Sequence, residues 1–114
     1  MKICHLCHHH CQLEEGQTGF CRVRTLKNQQ NICGNYGFIT ALALDPIEKK
    51  PLARFYPGST ILSMGSYGCN LRCPFCQNFS IAQQGREGFE PILTTPQQLA
   101  QKALALKSAR NLGV

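Results

Sequence analysis

Three cysteines fall within eight positions of the stretch GSYGCNLRCPFCQN (residues 65–78): Cys69, Cys73 and Cys76. Thiolates are soft ligands that suit zinc and iron–sulfur clusters. A closed tetrahedral site takes four protein ligands, and a disulfide framework takes an even number. Three thiols on one short loop instead fit a 4Fe–4S cluster held at three corners, with the fourth iron open to a further ligand. Gly65 and Gly68 let the loop backbone approach such a cluster. Pro74 stiffens the turn between the second and third ligands. Zinc bound by the triplet plus Cys33 or a His is the alternative, because a two-residue gap between cysteines is also a zinc spacing. A redox dithiol at Cys73 and Cys76 would leave the other thiols without a use.

A second set opens the chain: Cys4, Cys7, Cys11 and Cys21, spaced x2, x3 and x9, with Gly16 and Gly19 in the turn before the last. Four thiolates on a short polar segment make a closed site, most simply structural zinc. Iron held by the same four thiols, or another cluster, stays open, as do free reduced cysteines. A segment so poor in apolar residues has little else to order it. His5, His8, His9 and His10 offer alternative ligands; His8 and His9 read as solvated loop residues and His10 as a neighbour of the ligands. Cys33 is left over and reads as a small buried hydrophobe.

These loops need elements to position them. Residues 31–58 carry a β-type stretch, YGFITALAL, followed by a segment that Pro46, Pro51 and Pro57 keep out of regular helix or central strand. Lys49, Lys50 and Arg54 on it read as solvated charges, or as contacts to the cluster or an anionic partner. TILSMGS is a short apolar run with the character of a buried strand, and the triplet follows it. In TTPQQLAQKALALKSARNLGV, Thr95 is the expected N-cap, Pro96 the first helical residue and Gln98 the partner in a capping box. Leu99, Ala103 and Leu106 share one face with Ala100 and Leu104 beside them, and Gly113 is the expected stop. Strand, ligand-bearing loop and helix form the first unit of a parallel α/β arrangement. A parallel partner strand would have to follow the helix, so the chain reads as a truncated domain, divided into a Cys-rich region with its linker (1–58) and the start of an α/β unit (59–114). The alternative is a complete small protein whose helix packs on a YGFITALAL hairpin.

Composition narrows the classes. The chain has 114 residues, 43% of them hydrophobic, with eight cysteines and a net charge of +6. The basic residues are scattered rather than interleaved with aromatics, which argues against nucleic acid as a partner. No stretch approaches the roughly 20 apolar residues of a membrane span, and MKICHLCHHHC has no apolar core for a leader. Clustered cysteines without a leader point to the cytoplasm and to metal rather than to a secreted disulfide scaffold.

GCNLRCPFCQN resembles the Cys-x3-Cys-x-aromatic-Cys motif of radical S-adenosylmethionine enzymes. The resemblance widens to nearly the whole chain through CHLCHHHCQLEEGQTGFCRVR and ALALDPIEKKPLARFYPGSTILSMGSYGCNLRCPFCQN. These are similar to the AmmeMemoRadiSam type, the pyruvate formate-lyase activating enzyme-like proteins. Ala53-Arg54 and Ser63-Met64 depart from that pattern without touching a ligand. The resemblance implies that Cys69, Cys73 and Cys76 hold a 4Fe–4S cluster, with Phe75 near the adenine of S-adenosylmethionine. The free iron would be chelated by the amino and carboxylate groups of that cofactor. Reductive cleavage would then give a 5′-deoxyadenosyl radical for hydrogen abstraction. The strand before the motif would be the first of a partial (β/α)6 barrel, whose remainder lies beyond Val114. Partners implied are S-adenosylmethionine, the remaining barrel polypeptide, and in glycyl-radical-activating relatives a protein substrate. A non-catalytic zinc-binding module is the competing class.

Overall fold

The computed structural model describes residues 1–90 and 92–114. The chain divides into two compact units, and the sequence order weaves between them. One comprises Met1–Tyr36 and Ser66–Pro91, the other Gly37–Gly65 and Ile92–Val114. The cysteine-rich start and the triplet loop therefore share a unit, a grouping that cuts across the 1–58 and 59–114 regions of the sequence.

In the cysteine-rich unit, β1 (Lys2–Ile3) pairs antiparallel with β2 (Gln12–Leu13) and clips the ends of the first cysteine loop together. β3 (Arg24–Lys27) and β4 (Gln30–Cys33) form a hairpin. Its two-residue turn, Asn28-Gln29, has φ of 50° and 59°, the left-handed pair that matches the twist of the flanking strands. The Glu15 carboxylate accepts the backbone N–H groups of Asn28 and Gln29 and so fixes that turn. Cys4, Leu13 and Leu26 form the buried cluster, with Cys11 packed against it. One short helix, α1 (Phe79–Ala82), follows the triplet.

In the second unit the YGFITALAL stretch is divided at Thr40 rather than folded into a hairpin. β5 (Phe38–Ile39) pairs with β8 (Ile92–Leu93), and β6 (Ala41–Pro46) pairs with β7 (Thr60–Gly65), both antiparallel. The proline-rich segment between β6 and β7 is a 3-10 turn (Ile47–Lys49) and loop. The Glu48 carboxylate accepts the Gly58 N–H, which holds its pKa below the usual carboxylate range. Lys49 and Lys50 both reach Asp45, at 3.1 and 3.7 Å.

The expected helix is α2 (Pro96–Ala105), with Pro96 at its first position and the Thr95–Gln98 capping box formed in both directions. Leu99, Ala103 and Leu106 are half-buried while Ala100 and Leu104 are exposed, so only part of the apolar stripe is covered. The helix stops well before Gly113. Leu106 N–H is shared between the Lys102 and Ala103 carbonyls, a tightened last turn. A 3-10 turn (Lys107–Ala109) follows, and Arg110 at φ 61° closes it.

The residues released by this early stop run back beside β7, whereas the sequence alone puts any parallel partner beyond Val114. Thr60 N–H donates to Arg110 O (3.0 Å), Leu112 N–H to Thr60 O (2.9 Å) and Leu62 N–H to Gly113 O (3.0 Å), so residues 110–113 run parallel to β7. The contact is an isolated parallel bridge rather than a further strand. Among the described residues every named sheet has two strands, and no barrel is formed. Asn111 locks the return: its buried side chain accepts from Leu62 N–H and donates to the Ala103 carbonyl, each at 2.9 Å. Asn111→Ala removes the side-chain acceptor of Leu62 N–H and one of the two donors to the Ala103 carbonyl. The variant should lose about 1–2 kcal/mol of stability, read as a lower urea midpoint with an unchanged slope; a wild-type midpoint would contradict the locking role.

Candidate metal centre

The first cysteine loop is built by its backbone. Cys4 N–H donates to Cys11 O at 2.8 Å, and His10 N–H to Cys7 O at 3.3 Å, so the chain folds back through a turn at His8-His9. Cys21 sits on a second turn, closed by Gly19 N–H to Arg24 O (2.8 Å) and Arg22 N–H to Gly19 O (2.9 Å). Two backbone donors face sulfur: Phe20 N–H lies 3.4 Å from Cys11 Sγ, and Arg24 N–H 3.4 Å from Cys21 Sγ.

The triplet occupies an irregular loop that leaves the C-terminal end of β7. Cys69, Cys73 and Cys76 are half-buried and free. Cys76 N–H donates to Cys73 O (3.2 Å) across the Pro74-Phe75 turn, and Gln83 Nε2 donates to the same carbonyl (3.0 Å). Gly68 N–H donates to Ile81 O of α1 at 2.9 Å, tying the loop's start to its end. Phe75 is 83% exposed at the tip of the turn.

The N-terminal loops seat the triplet loop from one side. Gly68, at φ 88°, presses its backbone against the second cysteine turn, where a β-carbon would lie 2.3 Å from Val23 Cγ2 and 2.6 Å from the Cys21 carbonyl. His9 stacks on Phe20 with ring centres 3.9 Å apart, and its Nε2 donates to Asn70 O at 2.8 Å. The Arg72 guanidinium covers the same Phe20 ring at 4.2 Å, a cation–π contact of about 0.5–1 kcal/mol at an exposed site. His9 is therefore half-buried and engaged, where the sequence suggested a solvated residue, because Phe20 offers it a ring to stack on. His10 is exposed and meets His5 edge-on at 5.8 Å. Tyr67 is buried, with its hydroxyl donating to Gly34 O at 3.2 Å, and burial pushes the phenol up from its ordinary value.

Cys4, Cys7, Cys11 and Cys21 all border one cavity of about 310 Å³, and Cys33 and Cys69 border it with them. Cys73 and Cys76 do not. Cys33 is exposed, its thiol 3.1 Å from Asn35 Oδ1, and it stands at this cavity rather than in a core. The spacing of the N-terminal set gave no hint of that, because β4 delivers Cys33 through the hairpin fold and not through a local motif. Among the described residues no three His, Cys, Asp or Glu side chains converge closely enough to hold a metal ion. The donor set nevertheless suits soft metals in chemistry: eight free thiols, two of them facing backbone N–H groups. Lys49, Lys50 and Arg54 are exposed, the two lysines paired with Asp45. Among the described residues no helix is long and apolar enough to cross a membrane.

Comparison with known proteins gives sequence relatives without an established activity. The chain is 41% identical over 106 residues to an uncharacterised protein of Methanocaldococcus jannaschii, MJ0808, an alignment covering 89% of the chain and 30% of that protein. It is 32% identical over 83 residues to a second uncharacterised protein of the same organism, MJ0674, covering 72% of the chain and 20% of that protein. The chain thus spans about a third or less of the curated relatives it matches. No protein-family model matches it, and no solved structure matches it.

The tight seat of Gly68 makes a specific test. Gly68→Ala combines an unfavourable φ with a clash against backbone, and the substitution should cost more than about 1 kcal/mol. Amide exchange at residues 68–72 should speed up relative to the β6–β7 pair; unchanged exchange and stability would show that the loop is not seated on the cysteine turn.

Proposed function

We propose that this chain carries the cluster-binding segment of a radical S-adenosylmethionine protein. In this reading Cys69, Cys73 and Cys76 ligate a 4Fe–4S cluster, and Cys4, Cys7, Cys11 and Cys21 form a separate thiolate site for zinc or iron. The observation that carries the reading is the position of the triplet. Three free thiols lie on an irregular loop directly after β7, a strand beside which residues 110–113 return in parallel. The loop holds its three thiols half-buried around a Cys73 carbonyl fixed by Gln83 and Cys76 N–H. The odd number of thiols supports a cluster with one open iron over a closed zinc site.

The chain's own residues do the holding. The half-buried thiols supply three ligands, Gln83 and Cys76 N–H fix the Cys73 carbonyl, and Gly68 and His9 anchor the start of the loop. Phe75, exposed on the turn, is available to stack on an adenine. When bound, the cluster and S-adenosylmethionine supply a carbon radical for hydrogen abstraction. A glycyl-radical-activating role, a protein substrate and a cytoplasmic setting belong to the proposal, as does a dependence on further polypeptide to complete the S-adenosylmethionine pocket. The competing zinc-binding module draws on the knuckle-like turns around Cys11 and Cys21.

Anaerobic reconstitution with iron and sulfide separates the two. The cluster reading expects a brown chain with broad absorption near ~400 nm and an electron paramagnetic resonance signal that changes when S-adenosylmethionine is added. Cys69→Ala, Cys73→Ala and Cys76→Ala should each lose about four iron atoms per chain together with the S-adenosylmethionine-sensitive signal. A colourless zinc-loaded chain, or a variant that keeps the sensitive signal, would refute it.

A further inference from the structure

We propose that the cavity between the N-terminal cysteines binds a sulfide-bridged, multinuclear iron–sulfur cluster, with Cys33 as one of its ligands. The inference rests on reading the N-terminal set as a metal site, and it specifies what that site takes. Two observations lead to it. Six thiols, those of Cys4, Cys7, Cys11, Cys21, Cys33 and Cys69, border a single cavity of about 310 Å³. Yet among the described residues no three of them close on one point as ligands of a single ion would.

A lone tetrahedral ion draws its sulfurs to about 2.3 Å from one centre. That geometry needs convergence and leaves no room to fill. A cluster distributes its ligands differently: each cysteine binds its own iron, and the bridging sulfides occupy the space between. Six thiols lining one cavity exceed the four that a tetrahedral ion takes, and a cluster, with one cysteine per iron and sulfides between, can use them.

The surroundings answer the remaining demands. Arg24 is among the residues that line the cavity, and its backbone N–H faces Cys21 Sγ. Phe20 N–H and Arg24 N–H face Cys11 Sγ and Cys21 Sγ, the hydrogen bonds to sulfur that set cluster potentials. Gly19 and Gly68, also on the wall, place no side chain between the sulfurs. Cys33 arrives on β4 beside this wall, which gives the leftover thiol of the sequence a chemical role. Cys69 belongs to the triplet and marks where the two centres face each other. Assembly takes ferric and ferrous iron with sulfide from solution, the ferric ions supplying the oxidised irons of the cluster, and releases the protons of the ligating thiols.

The test uses Cys73→Ala/Cys76→Ala, which leaves the cavity wall intact and leaves Cys69 without its companions. After anaerobic reconstitution with ferric and ferrous iron and sulfide and removal of unbound ions, this chain should retain about two or more iron atoms and a matching amount of acid-labile sulfide. Its resonance signal should not respond to S-adenosylmethionine. Adding Cys33→Ala should lower iron and sulfide together by at least about twofold. One metal per chain without sulfide would overturn the cluster while leaving a metal site; no metal at all would overturn the site itself. Unchanged stoichiometry on Cys33→Ala would remove Cys33 from the ligand set. Should the double variant fail to fold, the wild-type chain decides: iron and sulfide must both exceed the about four of each that one cubane holds, and values at or below four contradict the proposal.

Discussion

Scarcity of apolar burial governs the cysteine-rich unit. Its buried hydrophobic side chains are Cys4, Leu13, Leu26 and Tyr67, and one of these is itself a thiol. Leu6, Leu71, Phe75 and Phe79 on the same unit are exposed. A core of this size contributes too little to hold long irregular loops against their conformational entropy, and small domains in that position rely on metals. Backbone turns at His8-His9 and Gly19–Arg24 bring the thiols into the same neighbourhood. On the proposed reading, ligation would supply the order that packing does not, and metal binding and folding would share one free energy.

The same constraint explains why the triplet loop leans on the N-terminal turns. Loop residues 66–78 contain no helix or strand that could fix them from within. They are fixed from outside instead, by Gly68 against Val23 and Cys21, by Asn70 on His9, and by Arg72 on Phe20. The buried Tyr67 anchors the approach, with its backbone carbonyl accepting from Asn35 and its hydroxyl donating to Gly34. A loop held this way keeps the thiols of Cys69, Cys73 and Cys76 half-buried. The second unit works by ordinary means: a six-residue antiparallel register between β6 and β7, a capped helix and a parallel return locked by Asn111.

What could be read from the sequence was what local chemistry decides. Thr95, Pro96 and Gln98 specify a helix start among themselves, and the structure forms it as written. The apolar run from Thr60 marked β7, but the bridge that residues 110–113 make to it was not legible, because the sequence alone puts any parallel partner beyond Val114. The helix end was not legible, because it is set by Arg110 in the left-handed region and by Asn111 reaching back across the turn, not by Gly113. The division of YGFITALAL at Thr40 was hidden for a similar reason: β5 takes its partner from residues 92–93, far along the chain. At the site, spacing revealed the two cysteine sets but could not show Cys33 beside them or His9 stacked on Phe20. Both depend on tertiary contacts between segments with no common periodicity.

The central claim is that the Cys69–Cys73–Cys76 loop presents an iron with an open coordination position to S-adenosylmethionine. Electron–nuclear double resonance addresses it most directly, on the reconstituted, reduced chain mixed with S-adenosylmethionine carrying oxygen-17 in its carboxylate. The account expects a hyperfine coupling between that oxygen and the reduced cluster, lost in Cys76→Ala. A reduced cluster with no such coupling, in a chain supplied with saturating S-adenosylmethionine, would contradict it.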